Sequence, residues 1–251
     1  MTESSLAATR TRGNDFRLGT VIARSASVLW RHLLTFFVVG LLASLPVLLL
    51  VKPSAVGPVG PAPLGRWLWE MFAFGLLTVA GTLGQAVIIH AAFQDMRRTG
   101  PVRLVESLNV SLRQFWPLIG IILAAFLSVL GLIFLVVPGL FLSTIWLVGL
   151  PACLAEGLGP WTSLRRSQEL TKGHRWKVFG LTLLLFAANL SSTFVDPWLF
   201  DAAGLIAGSV VKLMWSGIWV ASSAVLLGVT YHDLRVAKEG IDIEHVAVVF
   251  D

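Results

Sequence analysis

Apolar and polar residues follow one another along the chain in long blocks. A helix needs about 20 mainly apolar residues to cross the hydrocarbon core of a bilayer. The blocks that qualify are Leu33–Val51, Trp67–Phe93, Pro117–Val137, Gly139–Ala155, Val178–Val195 and Val210–Tyr231. Pro138 and Gly139 punctuate the long apolar stretch between the third and fourth blocks. Because proline lacks a backbone donor and glycine permits a turn, this dipeptide predicts a tight hairpin.

The basic residues lie in alternate gaps between the apolar blocks. Sixteen of the 19 Lys and Arg residues fall before block one, between blocks two and three, between blocks four and five, or after block six. Short loops rich in Lys and Arg stay in the cytoplasm. The pattern therefore predicts a bacterial inner-membrane protein with both termini inside: a cytoplasmic N-terminus (1–32), a six-helix membrane domain (33–231) and a cytoplasmic tail (232–251).

The segments before blocks one, three and five repeat one pattern. GPVRLVESLNVSLRQFWPLIG and GPWTSLRRSQELTKGHRWKVFG align Ser107 with Ser167 and Trp116 with Trp176, and LGTVIARSASVLWRHLL ends in Trp30 in the same way. Apolar residues recur at helical spacing on one side and arginines lie on the other, which is typical of helices at a membrane surface. We therefore predict an all-α polytopic membrane protein with six transmembrane helices, built as three repeats of a cytoplasmic amphipathic helix plus a transmembrane hairpin.

Composition supports a lipid-facing exterior. The chain is 56% hydrophobic and 13% charged, whereas roughly a quarter of the residues in soluble domains are charged. The net charge of +5 comes from the clusters between apolar blocks, so it indicates membrane topology and no nucleic-acid partner. Cys153 is the one cysteine, which excludes an intramolecular disulfide and a multi-thiolate metal site.

The basic residues of the amphipathic helices are candidates for contact with lipids or a protein partner. Near anionic head groups each Lys or Arg contributes about 1 kcal/mol. Simple anchoring of the helices at the inner surface is the alternative. The candidates are Arg103, Arg113, Arg165, Arg166, Lys172 and Trp176.

Candidate chemistry is sparse. Nucleotide loops, nucleophile elbows, paired carboxylates and metal-ligand clusters are missing from the sequence, so we expect no catalytic residues, metal or cofactor. Polar residues inside the blocks suggest transport instead, with Asn189 and Lys212 as candidates. Lys212 either reaches the outer surface or, if the last span begins near Ala203, lies deep beside an acidic partner. The acidic residues on that side are Glu70, Asp196 and Asp201.

The second half of the chain carries a family pattern. Glu156-Gly157 is followed by a helix with the pattern Leu-x-Arg-Ser and then by the pattern Gly-x-x-Trp. The end of the last block continues as YHDLRVAKEGIDIE. This pattern resembles the membrane domain of bacterial glycerophosphoryl diester phosphodiesterases, although His232 stands where that family has an aromatic residue. The matching motif residues are Pro138, Gly139, Glu156, Gly157, Ser167, Gly173, Tyr231, Asp233, Arg235 and Glu239.

The resemblance implies a helical membrane domain of unassigned function. The catalytic part of such enzymes resembles a separate soluble barrel with acidic metal ligands, to which the likeness does not extend. We also expect carboxylates after the last span to pair with Arg165 and Arg166, which would clasp the C-terminal tail to the third amphipathic helix. Those carboxylates are Asp233, Glu239, Asp242 and Glu244.

Three functions stay open on these grounds. The first is a non-enzymatic membrane protein that interacts with lipids or assists envelope assembly. The second is a small carrier or channel, which would need a continuous cavity from Lys212 past Asn189. The third is an enzyme acting on lipid head groups, which would need Glu156, Asp233, His90 and His232 to converge on one pocket.

Overall fold

A computed structural model describes residues 16–49, 64–97, 102–134 and 136–239. Within these ranges it gives the backbone alone at 66–67, 129–130, 132–134, 136, 192–202 and 205. The described residues form nine α-helices and one short 3-10 helix, Leu45–Leu49, which extends α2. The α-helices are α1 (Leu18–Arg31), α2 (Leu33–Ser44), α3 (Leu64–Met96), α4 (Leu104–Arg113), α5 (Phe115–Phe134), α6 (Val136–Trp146), α7 (Gly149–Glu156), α8 (Pro160–Thr171) and α9 (Arg175–Glu239).

The described residues contain three to five candidate membrane spans. Three stretches are long and apolar enough by themselves: Leu68–Met96, Val137–Glu156 and Ile206–Glu239. Two bent helix pairs, α1 with α2 and α4 with α5, bring the number to five if each pair is one span. The predicted all-helical, multi-span architecture is therefore confirmed at this level. The predicted span Val178–Val195 is helical within α9, but its last side chains lie outside the described set and it stays a prediction.

Helices are present at all three predicted amphipathic segments, as α1, α4 and α8. The axis turns by 89° between α1 and α2 and by 72° between α4 and α5. The breaks fall at His32 (φ −118°, ψ 26°) and Gln114 (φ −95°, ψ 18°), whose backbones leave the helical region. The first two amphipathic helices therefore lie across the direction of the apolar helices that follow them.

The prediction that Pro138 and Gly139 form the hairpin turn is wrong. Both residues lie in the first turn of α6, where a proline is tolerated because its missing N–H has no intrahelical acceptor. The residue between α5 and α6, number 135, lies outside the described residues. A Cβ on Gly131 of α5 would lie 3.4 Å from the Gly139 Cα. Gly139 therefore allows two helices to pack closely.

The predicted fourth block, Gly139–Ala155, lies within one candidate membrane span, Val137–Glu156, although the helix is interrupted between α6 and α7. Leu147 and Val148 separate them, and α7 begins at Gly149. Pro151 in the first turn of α7 has no N–H to offer the Leu147 carbonyl four residues earlier, which favours a new helix start.

The C-terminal end of α9 lies beyond the predicted end of the sixth block, whereas the break inside α9 lies between the fifth and sixth blocks. A non-helical residue, Gly204 (φ 75°, ψ 174°), divides α9 into two helices. The second continues to Glu239, eight residues beyond Tyr231, where the sixth block was expected to end. Residues 240–251 of the predicted tail and 1–15 of the predicted N-terminus lie outside the described residues.

Small residues bring α2, α3 and α9 together at the centre of the molecule. A Cβ built on Gly40 of α2 would lie 2.3 Å from the Gly217 carbonyl oxygen of α9. One built on Gly84 of α3 would lie 2.3 Å from the Ala43 Cβ of α2. Such close backbone approach is characteristic of helices packed within a membrane, where small residues line the contacts.

The periphery of the helix bundle carries large apolar side chains. Leu34 is 76% exposed, Met71 70% and Ile206 83%. Soluble proteins seldom expose large contiguous apolar patches, so these side chains indicate surfaces covered by lipid.

Candidate functional site

Four charged side chains join the end of α7, the interior of α8 and the end of α9. Glu156 is the last residue of α7, Arg166 lies in α8, and Arg235 and Glu239 lie in the last turns of α9. Arg166 Nε donates to Glu156 Oε1 at 2.8 Å and to Oε2 at 3.0 Å. Arg166 Nη2 donates to Glu239 Oε1, and Arg235 Nε donates to Glu239 Oε2 at 2.9 Å. We call these four residues and Tyr231 the helix-end network.

Tyr231 completes the helix-end network from inside the core. Its hydroxyl donates to Glu156 Oε1 at 2.7 Å, its side chain is nearly fully buried, and its ring packs 5.8 Å from that of Phe93. Burial by itself would lower the pKa of Arg166, but the hydrogen bonds and charges of Glu156 and Glu239 raise that pKa above the usual arginine value. Two positive charges meet two negative charges, so the network is balanced and its arrangement is that of a structural joint.

The predicted clasp is half right. Glu239 pairs with Arg166 as expected. Asp233 pairs instead with Arg24 of α1, at 2.6 Å, because the last turns of α9 also contact that helix. Arg165 points away and lies 3.6 Å from Glu169, one turn along α8. Asp242 and Glu244 lie outside the described residues.

The motif glycines have a backbone explanation. Gly157 (φ 64°) ends α7 in the left-handed conformation, and Gly173 (φ 96°) lies between α8 and α9. A side chain would strain either position, so glycine is favoured there. Ser167 of the same motif is buried and donates to the Ile145 carbonyl at 2.7 Å, which ties α8 to α6.

Equivalent tryptophans point outward near the C-terminal end of each amphipathic helix, Trp30 within α1 and Trp116 and Trp176 in the first turns of α5 and α9. Trp30 is 78% exposed, Trp116 78% and Trp176 86%. Five residues before each tryptophan stands a buried hydroxyl that donates to the carbonyl four residues earlier. These bonds join Ser25 to Val21 (2.7 Å), Ser111 to Ser107 (2.8 Å) and Thr171 to Ser167 (2.9 Å). The sequence alignment matched the tryptophans but missed the hydroxyls, which mix serine with threonine.

The faces of α4 confirm its amphipathic design. Val105 is 74% exposed, Leu108 47% and Leu112 50%, whereas Ser107 and Ser111 are fully buried. The apolar face of this helix therefore points away from the protein and its small polar face packs inward. This orientation is opposite to that of an amphipathic helix on a soluble protein and suits contact with lipid.

A polar cavity of about 410 Å³ lies where the end of α3, the start of α4 and the end of α7 meet. Its apolar wall comes from Phe93, Leu154 and Ala155. Its polar lining consists of His90, Gln94, Arg97, Arg103 and Glu106. We call this space the headward cavity.

A second space, a groove of about 870 Å³, follows α4. It shares Arg103 and Glu106 with the headward cavity and extends past Leu104, Val105 and Val110 to Arg113. The lipid-contact candidates Arg103 and Arg113 therefore border the same groove. Lys172 and Arg165 are exposed at α8, and Arg166 is held by two carboxylates.

The two residues proposed for transport lie in different parts of α9. Asn189 lies in the first part of α9, and Lys212 lies within the first two turns of the candidate span that begins at Ile206. Neither residue lines the headward cavity or the groove. Inside the bundle, Gln85 Nε2 donates to Ser223 Oγ at 3.2 Å, an interhelical hydrogen bond between α3 and α9.

The residues that a head-group enzyme would need make their polar contacts with different partners. Glu156 is in the helix-end network, His232 and Asp233 lie beside Arg24, and His90 Nδ1 is 3.0 Å from Ser107 Oγ. Among the described residues, no three His, Cys, Asp or Glu side chains are placed to hold a metal ion. Cys153 is buried in α7.

Comparison with known proteins finds no matching family, no similar curated protein and no similar solved structure.

Proposed function

We propose that this chain is a non-enzymatic, multi-pass inner-membrane protein that interacts with membrane lipids at its inner face. The observation that carries the proposal is the common placement of Trp30, Trp116 and Trp176. Each is at least 78% exposed and stands beside the junction between an amphipathic helix and the apolar helix that follows.

The geometry of these junctions supports a position at the membrane interface. Tryptophan is enriched at that depth because its ring is apolar and its N–H needs a polar partner. Bends of 89° and 72° let α1 and α4 lie along the surface while α2 and α5 enter the hydrocarbon. The outward apolar face of α4 then meets lipid chains, which supports the same arrangement.

Charge supports an anionic lipid surface as the partner. Arg103, Arg113, Arg165 and Lys172 are exposed on or beside the amphipathic helices, where each attracts anionic head groups. Arg166 is occupied by Glu156 and Glu239, so we assign it to the structural set instead. The motif residues resemble the membrane domain of bacterial glycerophosphoryl diester phosphodiesterases, and this resemblance supports a role in the membrane.

The test is native mass spectrometry of the full chain extracted from its own membranes in mild detergent. The wild type is compared with a double variant, Arg165→Ala with Lys172→Ala, and with the matched control Glu169→Ala on the same helix. We expect anionic lipid on the wild type, less on the double variant, and no loss on the control. Bare protein in all three samples would contradict the proposal. A co-purifying protein without lipid would also contradict it and would point to an assembly role.

A further inference from the structure

The headward cavity is built from three helices at one end of the bundle. Two contacts that leave the guanidinium groups free of any role hold its walls together. The Arg103 backbone N–H donates to Gln94 Oε1 at 2.9 Å, and His90 Nδ1 lies 3.0 Å from Ser107 Oγ. These bonds hold the start of α4 against the end of α3. The cavity walls are therefore positioned without using the guanidinium groups of Arg97 and Arg103.

The charges of the headward cavity favour an anion. Arg97 and Arg103 line it, and within the described part of the chain neither side chain has a carboxylate within ion-pair distance. Glu106 contributes one negative charge, which leaves a net positive site. Guanidinium groups suit phosphate oxygens because their N–H donors match the phosphate geometry.

The groove along α4 supplies the apolar half of the same site. It meets the headward cavity at Arg103 and Glu106, and its apolar lining of Leu104, Val105 and Val110 leads along α4 toward Arg113. Val105 is 74% exposed there. A polar, positive cavity continuous with an apolar groove matches an amphiphile that has an anionic head and a hydrocarbon chain.

We propose that the headward cavity binds the phosphate-ester head group of a membrane phospholipid and that the groove along α4 takes one of its acyl chains. The inference rests on the proposed lipid-interacting function and gives it a site. Arg97 and Arg103 bind the phosphate oxygens, and Glu106 weakens that binding by repulsion of like charge.

The experiment measures binding by native mass spectrometry of the purified full chain at increasing concentrations of short-chain phosphatidylglycerol. Diacylglycerol with the same chains lacks the phosphate, and inorganic phosphate lacks the chains. We expect one phosphatidylglycerol per protein and at least tenfold weaker binding of diacylglycerol. Inorganic phosphate that binds as tightly as the lipid would overturn the lipid assignment.

Variants that remove positive or negative charge from the cavity test whether the lipid binds at this site. Arg97→Gln with Arg103→Gln should weaken phosphatidylglycerol binding at least tenfold, whereas Glu106→Gln should tighten it severalfold. Arg17→Gln is the matched control, because Arg17 is exposed and outside both spaces. If the double variant does not fold, the sign of the Glu106→Gln effect decides.

The outcomes separate the two proposals. Unchanged phosphatidylglycerol affinity in Arg97→Gln with Arg103→Gln and in Glu106→Gln would overturn this site. The proposed function would survive that result if lipid retention still depended on Arg165 and Lys172. Absence of any bound lipid on the wild type, native or added, would overturn the proposed function itself.

Discussion

Arg166 donates from Nε to both carboxylate oxygens of Glu156, at 2.8 and 3.0 Å, across the turn between α7 and α8. The same guanidinium reaches Glu239 at the end of α9. One side chain thus ties the interior of α8 to the ends of α7 and α9, and Arg166, Glu156 and Glu239 are each only about a fifth exposed. The helix-end network is therefore a polar joint between α7, α8 and α9.

Replacement of Arg166 should destabilise the protein strongly. Arg166→Met leaves two partly buried carboxylates without their shared partner, which we expect to cost about 2 kcal/mol, less than for a fully buried pair because some solvent remains. Thermal unfolding of the detergent-solubilised protein measures the effect.

The neighbouring arginine is the matched control for that experiment. Arg165 is 82% exposed and 3.6 Å from Glu169, so Arg165→Met should change the unfolding free energy by no more than about 0.5 kcal/mol. Equal losses of stability in both variants would contradict a specific structural role for Arg166.

Removal of the Tyr231 hydroxyl should lower the free energy of unfolding less than removal of the whole ring. Tyr231→Phe deletes the 2.7 Å hydrogen bond to Glu156 but keeps the packing against Phe93, so we expect a loss of about 1.5 kcal/mol. Tyr231→Ala also leaves a cavity and should cost about 4 kcal/mol. Unfolding midpoints in detergent distinguish the two, and similar losses would show that the hydroxyl carries the whole effect.

Gly40 should not tolerate even a methyl group. In Gly40→Ala the new Cβ would lie 2.3 Å from the Gly217 carbonyl oxygen, and the separation of α2 from α9 should cost about 2 kcal/mol. Gly75→Ala is the control, because a Cβ at that helical position meets no atom within 4 Å and alanine favours the helix. Unfolding in detergent should show a loss for Gly40→Ala alone, and unaffected stability in that variant would contradict the close contact.

The sequence patterns predicted the positions of helices better than they predicted the contacts between helices. Apolar blocks and helical spacing are read from neighbouring residues, and they located α1, α4 and α8. The Pro138-Gly139 turn failed because the same two residues also suit the first turn of a helix. Whether such a pair ends a helix or begins one depends on the packing of α5 against α6, which a local pattern does not contain.

The sequence predicted one ion pair of the candidate site, but it did not predict the contacts that depend on how the helices pack. Glu239 was expected to pair with Arg166, because both lie in segments that the charge pattern predicts to be on the same side of the membrane. Asp233 pairs with Arg24 because α9 packs against α1, and these two residues are more than 200 positions apart in the sequence. The headward cavity joins three helices, so no single segment of sequence signals it.

The most direct test of the central claim, a multi-span protein with its three amphipathic helices on the inner face, is labelling of single cysteines with a membrane-impermeant maleimide in intact cells. Cys153 is buried and is replaced by alanine. The exposed test positions are Ser27→Cys in α1, Asn109→Cys in α4 and Lys172→Cys after α8. The fourth position, Ser54→Cys, lies between the first and second apolar blocks, a segment that the charge pattern predicts to be outside the cytoplasm. We expect Ser54→Cys to react in intact cells and the other three only after permeabilisation. Reaction of any amphipathic-helix cysteine in intact cells would contradict the account.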